Sequence, residues 1–202
     1  MKASFWKALE ALGASGSARC DWKRQLGDDW DACAPCLKTT GRSAETVIDP
    51  RMPMRRLIVA VDGEEDFVAI EEDGPMYEPI PLKAREVAEF RPHWEPVARA
   101  LAPVVGFDYG AWECEGDLRR IGSAQDAFGH VRAVLLFLPP GNLGDYPYLF
   151  RSLSARFDST VLFPTARWIP AEIEALRDRN GLTFVDLSER LAQIEADPPA
   201  RN

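Results

Sequence analysis

Histidine and lysine are scarce in this chain, and each shortage removes a class of chemistry. With His93 and His130 the only histidines, the zinc-protease helix H-E-x-x-H cannot be written anywhere in the sequence. The five lysines stand at positions 2, 7, 23, 38 and 83, so lysine-based catalysis is excluded from everything that follows residue 83. No glycine precedes a lysine, which removes the phosphate loop G-x-x-x-x-G-K-[ST]. G-x-G-x-x-G and G-x-S-x-G are missing too, and with them the fingerprints of dinucleotide-binding folds and of α/β-hydrolases. No apolar run approaches the roughly 20 residues of a membrane helix. The opening stretch from Met1 to Lys7 has no signal-peptide apolar region, so a cytoplasmic protein with no membrane partner is expected.

What is present describes a globular protein. The 202 residues are 46% hydrophobic and 28% charged, enough apolar content to exclude a disordered chain. The net charge of -8 is unevenly spread. Residues 1–56 carry 10 Lys+Arg against 7 Asp+Glu, residues 57–115 carry 4 against 14, and residues 116–202 carry 10 against 11. An acidic body repels a phosphate backbone, which argues against nucleic acid. The basic cluster of Arg51, Arg55 and Arg56 reads as a solvated approach to the first strand.

Hydrophobic periodicity gives the architecture. Phe5, Leu9 and Leu12, with Trp6 beside them, form the apolar face of a helix over about 4–12, and Gly13 to Ser17 read as a joint. Residues 19–54 are irregular and hold three of the four cysteines. Strands at 57–61 and 67–70 make an antiparallel hairpin. Helices follow at about 83–90 and 94–105, the second stopped by Gly106, and then short strands at 111–115 and 118–123. Strands at 131–138, 160–163 and 182–186 alternate with helices at about 146–157, from Pro170 to near Gly181, and from a Ser188 cap to about Ala196. The fold class is therefore mixed α+β (α/β), ending in a three-stranded parallel β-α-β-α-β unit. The expected division is 1–55, a helix and an irregular Cys-bearing segment, and 56–202, an α/β body that changes character near residue 130.

The most pointed motif is Cys33-Ala34-Pro35-Cys36, with Cys20 upstream. A C-x-x-C pair can place two thiolates on one tetrahedral zinc ion, so Cys20, Cys33 and Cys36 are candidate metal ligands. Cys114 or His93 would supply the fourth, although neither has the spacing of a second knuckle. Redox work is disfavoured, because Asp28, Asp29 and Asp31 precede the pair and raise a thiol pKa. Asp62, Glu64 and Asp66 have the first three offsets of a calcium loop, but Phe67 stands where glycine is required, so they read as a hairpin turn.

Topology suggests one further site. Open parallel sheets bind ligands beyond the carboxyl ends of their strands. Those ends deliver Asn142, Thr165, Arg167 and Ser188 as candidate ligand-binding groups, and Asp145 and Asp186 as candidate catalytic carboxylates. Three functions stand side by side. The first is a non-catalytic protein that docks a protein partner through residues 1–55, with zinc as a stabiliser of that segment. The second is an enzyme acting on a phosphorylated or otherwise anionic small molecule at the strand ends. The third is a winged-helix-like nucleic-acid reader built on the helices at 83–105, which Glu86, Glu89 and Glu95 oppose. The absent motifs favour the first.

Overall fold

A computed structural model describes residues 1–63, 66–72, 77–115, 118–138 and 146–197. It is a mixed α+β protein that divides into two compact units, Met1–Ala14 with Trp94–Asn202, and Ser15–His93. The expected boundary at residue 55 does not coincide with that division. The N-terminal helix α1 (Ala3–Leu12) groups with the C-terminal half of the chain, and the irregular segment groups with the hairpin.

The unit Ser15–His93 begins with a two-residue strand β1 (Ser17–Ala18) that leads directly into α2 (Arg19–Leu26). A short α3 (Trp30–Cys33) and a 3-10 turn precede β2 (Leu37–Ser43) and β3 (Thr46–Ile48). The hairpin strands are β4 (Arg56–Val61) and β5 (Asp66–Ile70), followed by β6 (Ile80–Lys83), α4 (Ala84–Val87) and β7 (Ala88–Pro92). Two sheets result, an antiparallel one in the order β3-β4-β5-β6 and a three-stranded one in the order β1-β7-β2. Leu57 and Ala69 present their buried side to Val47, Ala18 and Ala44, with Cys20, Val59, Ile80 and Leu82 packed around them.

Residues 19–54 are thus more regular than their composition indicates. Their strands have no apolar alternation, because β2 is exposed over most of its length and is held by backbone pairing with β7. The expected helix at 83–90 stops after one turn, and the chain continues as β7 between β1 and β2. A winged-helix reader loses its first helix by the same fact.

Asp21 ties this unit together. Its side chain is fully buried. It accepts the Ile48 backbone N–H at 3.1 Å, the Ser17 hydroxyl at 3.3 Å, and faces the Arg24 guanidinium at 3.5 Å. Burial pushes its carboxyl above the ordinary carboxylate range, against the lowering by Ile48, Arg24 and Ser17. β1, α2 and β3 therefore meet on one carboxylate.

In the other unit, α5 (Trp94–Val105) buries Val97, Ala98 and Leu101 and ends at Gly106, whose φ of 84° a side chain would strain. A meander of β8 (Asp108–Glu115), β9 (Leu118–Gln125) and β10 (Val131–Phe137) follows. After α6 (Tyr146–Ser154) come β11 (Ser159–Phe163), the short helices α7 (Ala171–Glu174) and α8 (Leu176–Asn180), β12 (Thr183–Asp186) and α9 (Leu187–Ala196). The sheet order is β12-β11-β10-β9-β8. β10, β11 and β12 pair in parallel, while β8 and β9 are antiparallel. The parallel strands are one flank of a mixed sheet, not a separate unit.

Leu135, Phe137, Val161, Phe163 and Phe184 bury one face of this sheet under Leu149, Leu153, Ile173, Leu176 and Trp168. Val134, Leu136 and Leu162 are buried as well, which is why these strands read as continuous apolar runs. Gly122 in β9 is required by close approach, since a Cβ there would meet the Asp108 carbonyl and lie 2.7 Å from the Phe107 ring.

Replacing Asp21 with Ala strands the Ile48 N–H and the Ser17 hydroxyl, and is expected to cost about 2–4 kcal/mol in urea unfolding. Asp21→Asn keeps an acceptor and is expected to cost less. Because folding raises the Asp21 carboxyl above its unfolded value, folding favours its protonation. The parent should therefore gain stability relative to the Asn variant as pH falls through that raised value toward the unfolded one.

Candidate functional site

The carboxyl ends of β11 and β12 lie side by side, because Phe163 is in register with Asp186. The Ser188 N–H donates to the Pro164 carbonyl at 3.1 Å and ties the two strand exits together. Asp186 has both oxygens engaged: one accepts the Ala166 N–H at 2.6 Å, the other the Glu189 N–H at 2.9 Å. Asp186, rather than the expected Ser188, is therefore the N-cap of α9. Ser188 is buried in the first turn.

The structure brings Thr165, Arg167, Asp186 and Ser188 together at this edge. It also brings a carboxylate from a distant part of the sequence. The Thr165 hydroxyl donates to Glu10 Oε2 at 2.8 Å, and Arg167 Nη1 stands 3.5 Å from Glu10 Oε1. Glu10 belongs to α1, which lies against α9 with the Ala3 N–H donating to Glu195 at 3.1 Å. Phe5, Trp6, Ala8, Leu9 and Leu12 on that helix are buried. The position that an anionic ligand would take beside Arg167 is thus filled by the protein's own carboxylate. Asn142 and Asp145 lie outside the described residues.

No family model, no curated protein and no solved structure matches this chain.

Three of the four cysteines have described side chains. Cys20 is half-buried in the first turn of α2, with its thiol 3.9 Å from Asp21 Oδ1. Burial, reinforced by the Asp21 carboxylate, pushes that thiol up to about 11. Cys33 and Cys36 are buried at the end of α3 and in the turn after it, and burial raises the Cys36 thiol as well. Among the described residues, no group of three or more His, Cys, Asp or Glu side chains is placed to hold a metal ion. The described side chains of Cys20, Cys33 and Cys36 thus belong to no such group. The Cys114 side chain lies outside what is described, and the His93 N–H donates to the Cys36 carbonyl at 2.7 Å. The turn carboxylates Asp62 and Asp66 close the β4–β5 hairpin through an Asp62 N–H to Asp66 carbonyl bond of 2.8 Å, and Asp66 pairs with Lys83. Glu64 is outside the described residues.

In the basic cluster Arg51 and Arg56 are exposed and Arg55 is half-buried, but the cluster does more than meet solvent. Arg51 donates from its backbone N–H at 2.9 Å and from Nε at 3.0 Å to Asp49, which is fully buried. Those bonds hold the Asp49 carboxyl below the usual carboxylate range. Arg55 pairs at 2.8 Å with Glu71, also buried. Arg56 reaches the Thr46 hydroxyl at 3.3 Å. Two of the three arginines thus hold buried carboxylates. The local half of this was visible, since Asp-Pro-Arg is a turn signature in which an aspartate accepts an N–H two residues on. The Arg55–Glu71 pair left no such signal.

Glu10→Ala removes both the Thr165 acceptor and the Arg167 counter-charge, and is expected to lower unfolding stability by about 1–2 kcal/mol. Glu10→Gln, which keeps the acceptor, should lose less than about 1 kcal/mol. Two variants as stable as the parent in urea titrations would show that this carboxylate does not hold the edge.

Proposed function

We propose that this protein acts by contact with another protein rather than by catalysis, and that the contact is made by the loop between β3 and β4. One observation carries the reading: two methionines are held in water at the tip of a tightly tethered loop. Met54 is fully exposed and Met52 is 48% exposed. The loop they sit on is closed by Asp49–Arg55, Met52–Asp49 and Arg55–Met52 backbone bonds of 2.8 to 3.2 Å. Buried Asp49 and Glu71 anchor its two ends through Arg51 and Arg55, and the Arg51 guanidinium lies 4.7 Å from the Tyr77 ring centroid.

Buried ion pairs add little net stability, but they do fix conformation. A loop already fixed loses less entropy on binding, and methionine is an adaptable contact side chain. Arg51 with Asp49 and Arg55 with Glu71 cancel in pairs beside the exposed methionines, so the partner that fits is a protein with an apolar recess. This narrows the interaction region from residues 1–55 to residues 50–54, because the apolar face of α1 is covered by the chain itself. Catalysis at the strand ends has less support, since Asp186 and Arg167 are already engaged there. A cytoplasmic setting belongs to the same reading.

A Met52→Ser/Met54→Ser double variant should unfold within about 0.5 kcal/mol of the parent, since both side chains are on the surface. As bait in cell extract it should lose a partner that the parent and a Val131→Ser control both retain. Identical bound proteins for parent and double variant, or none for the parent, would overturn the proposal.

A further inference from the structure

We propose that the cleft between α2 and α4 binds a small phosphorylated molecule through Arg19, Lys23 and Arg85. The cleft encloses about 370 Å³ and is lined by Arg19, Cys20 and Lys23 of α2 and by Arg85 and Glu86 of α4. Arg19 and Lys23 are four residues apart and so share one face of their helix. Like charges at that spacing repel, and the sequence around them could have relieved it. Residues 15–93 contain 16 Asp+Glu against 11 Lys+Arg. Five of the unit's eight other cations are matched: Arg24 with Asp21, Arg42 with Glu89, Arg51 with Asp49, Arg55 with Glu71, and Lys83 with Asp66. Among the described residues, none of the cleft's three cations makes an ion pair.

Glu86, which lines the same cleft, offsets one of the three charges but makes no ion pair with them. Its carboxylate accepts the Lys83 N–H at 2.8 Å and caps α4. Two of the cations are also held in place. The Arg19 guanidinium lies 5.4 Å and the Lys23 ammonium 5.7 Å from the ring centroid of Trp30, which itself packs edge-on against Phe90. Cys20 contributes a neutral wall, since its thiol keeps its proton at physiological pH. The net charge of the lining is +2, with donors arriving from two helices.

That chemistry selects the ligand class. A lone carboxylate is satisfied by one arginine fork, whereas a phosphate carries up to two charges and enough acceptor oxygens for donors from several sides. The volume is at the small end of ligand cavities, so it suits a small phosphate ester and not a chain. A polynucleotide would meet a unit whose 16 Asp+Glu outnumber its 11 Lys+Arg. The site shares no residue with the 50–54 loop, and each proposal stands or falls alone.

Inorganic pyrophosphate, titrated at constant ionic strength, tests it. Calorimetry should give saturable binding with Kd at or below about 1 mM, and tryptophan emission should change in parallel because Trp30 underlies two of the cations. Lys23→Gln and Arg85→Gln should each weaken binding about tenfold or more, the cost of one charge-assisted bond. Lys38→Gln, an exposed charge on β2 outside the cleft, should bind like the parent. Trp30→Phe should lose most of the emission change. No saturable heat for the parent up to about 10 mM would overturn the site, as would equal affinity in the parent and both cleft variants.

Discussion

A carboxylate withdrawn from water must be given donors, and that requirement organises this molecule. Asp21 joins β1, α2 and β3. Asp49 and Glu71 close the loop before β4. Asp186 fixes the turn after β11 and starts α9, and Glu10 fastens α1 to the end of the sheet. Each of these groups connects segments that apolar packing alone leaves free to slide. At the buried Asp21, Asp49 and Glu71 an unmatched carboxylate would cost several kcal/mol, so the arrangement around those three is narrowly specified. The acidic excess of the sequence is in part the raw material of these fastenings.

The same requirement separates the surfaces that are finished from those that are not. At the strand ends, where a parallel flank ordinarily offers a ligand site, the donors of Thr165 and Arg167 face Glu10, and the acceptors of Asp186 face backbone N–H groups. Among the described residues of that edge, Thr165, Arg167 and Asp186 are already engaged. Two other places differ. The 50–54 loop spends ordered structure on holding apolar side chains in solvent, and the α2–α4 cleft gathers three cations in a unit rich in carboxylates that pair elsewhere.

Much of the fold was legible. The strands at 57–61, 67–70, 131–137, 160–163 and 183–186 carry their signal in β-branched and aromatic runs, and α5 carries its own in Val97, Ala98 and Leu101. What was hidden is long-range. α1 shows an apolar face that reads equally well as a docking arm or as core, and only its placement beside α9 decides for core. Its grouping also means that a cut at residue 55 would remove α1 from one unit and β1, β2 and β3 from the sheets of the other. β2 and β7 were missed because backbone pairing, which leaves no pattern in side chains, holds them. Of the candidate site, Thr165, Arg167, Asp186 and Ser188 were correctly placed at one edge by strand topology. Glu10, which answers them, lies 155 residues from Thr165 and could not be paired by reading along the chain.

α1 is a permanent part of the C-terminal unit and keeps Glu10 at the strand ends. Native-state hydrogen exchange of the α1 amides tests it directly. With Phe5, Trp6, Leu9 and Leu12 all buried, the amides in the second half of the helix should exchange only through the same global opening as those of β10 and β11. Exchange of α1 at a much lower opening free energy than the sheet would show the opposite, a helix that leaves its place and exposes Arg167 to ligands.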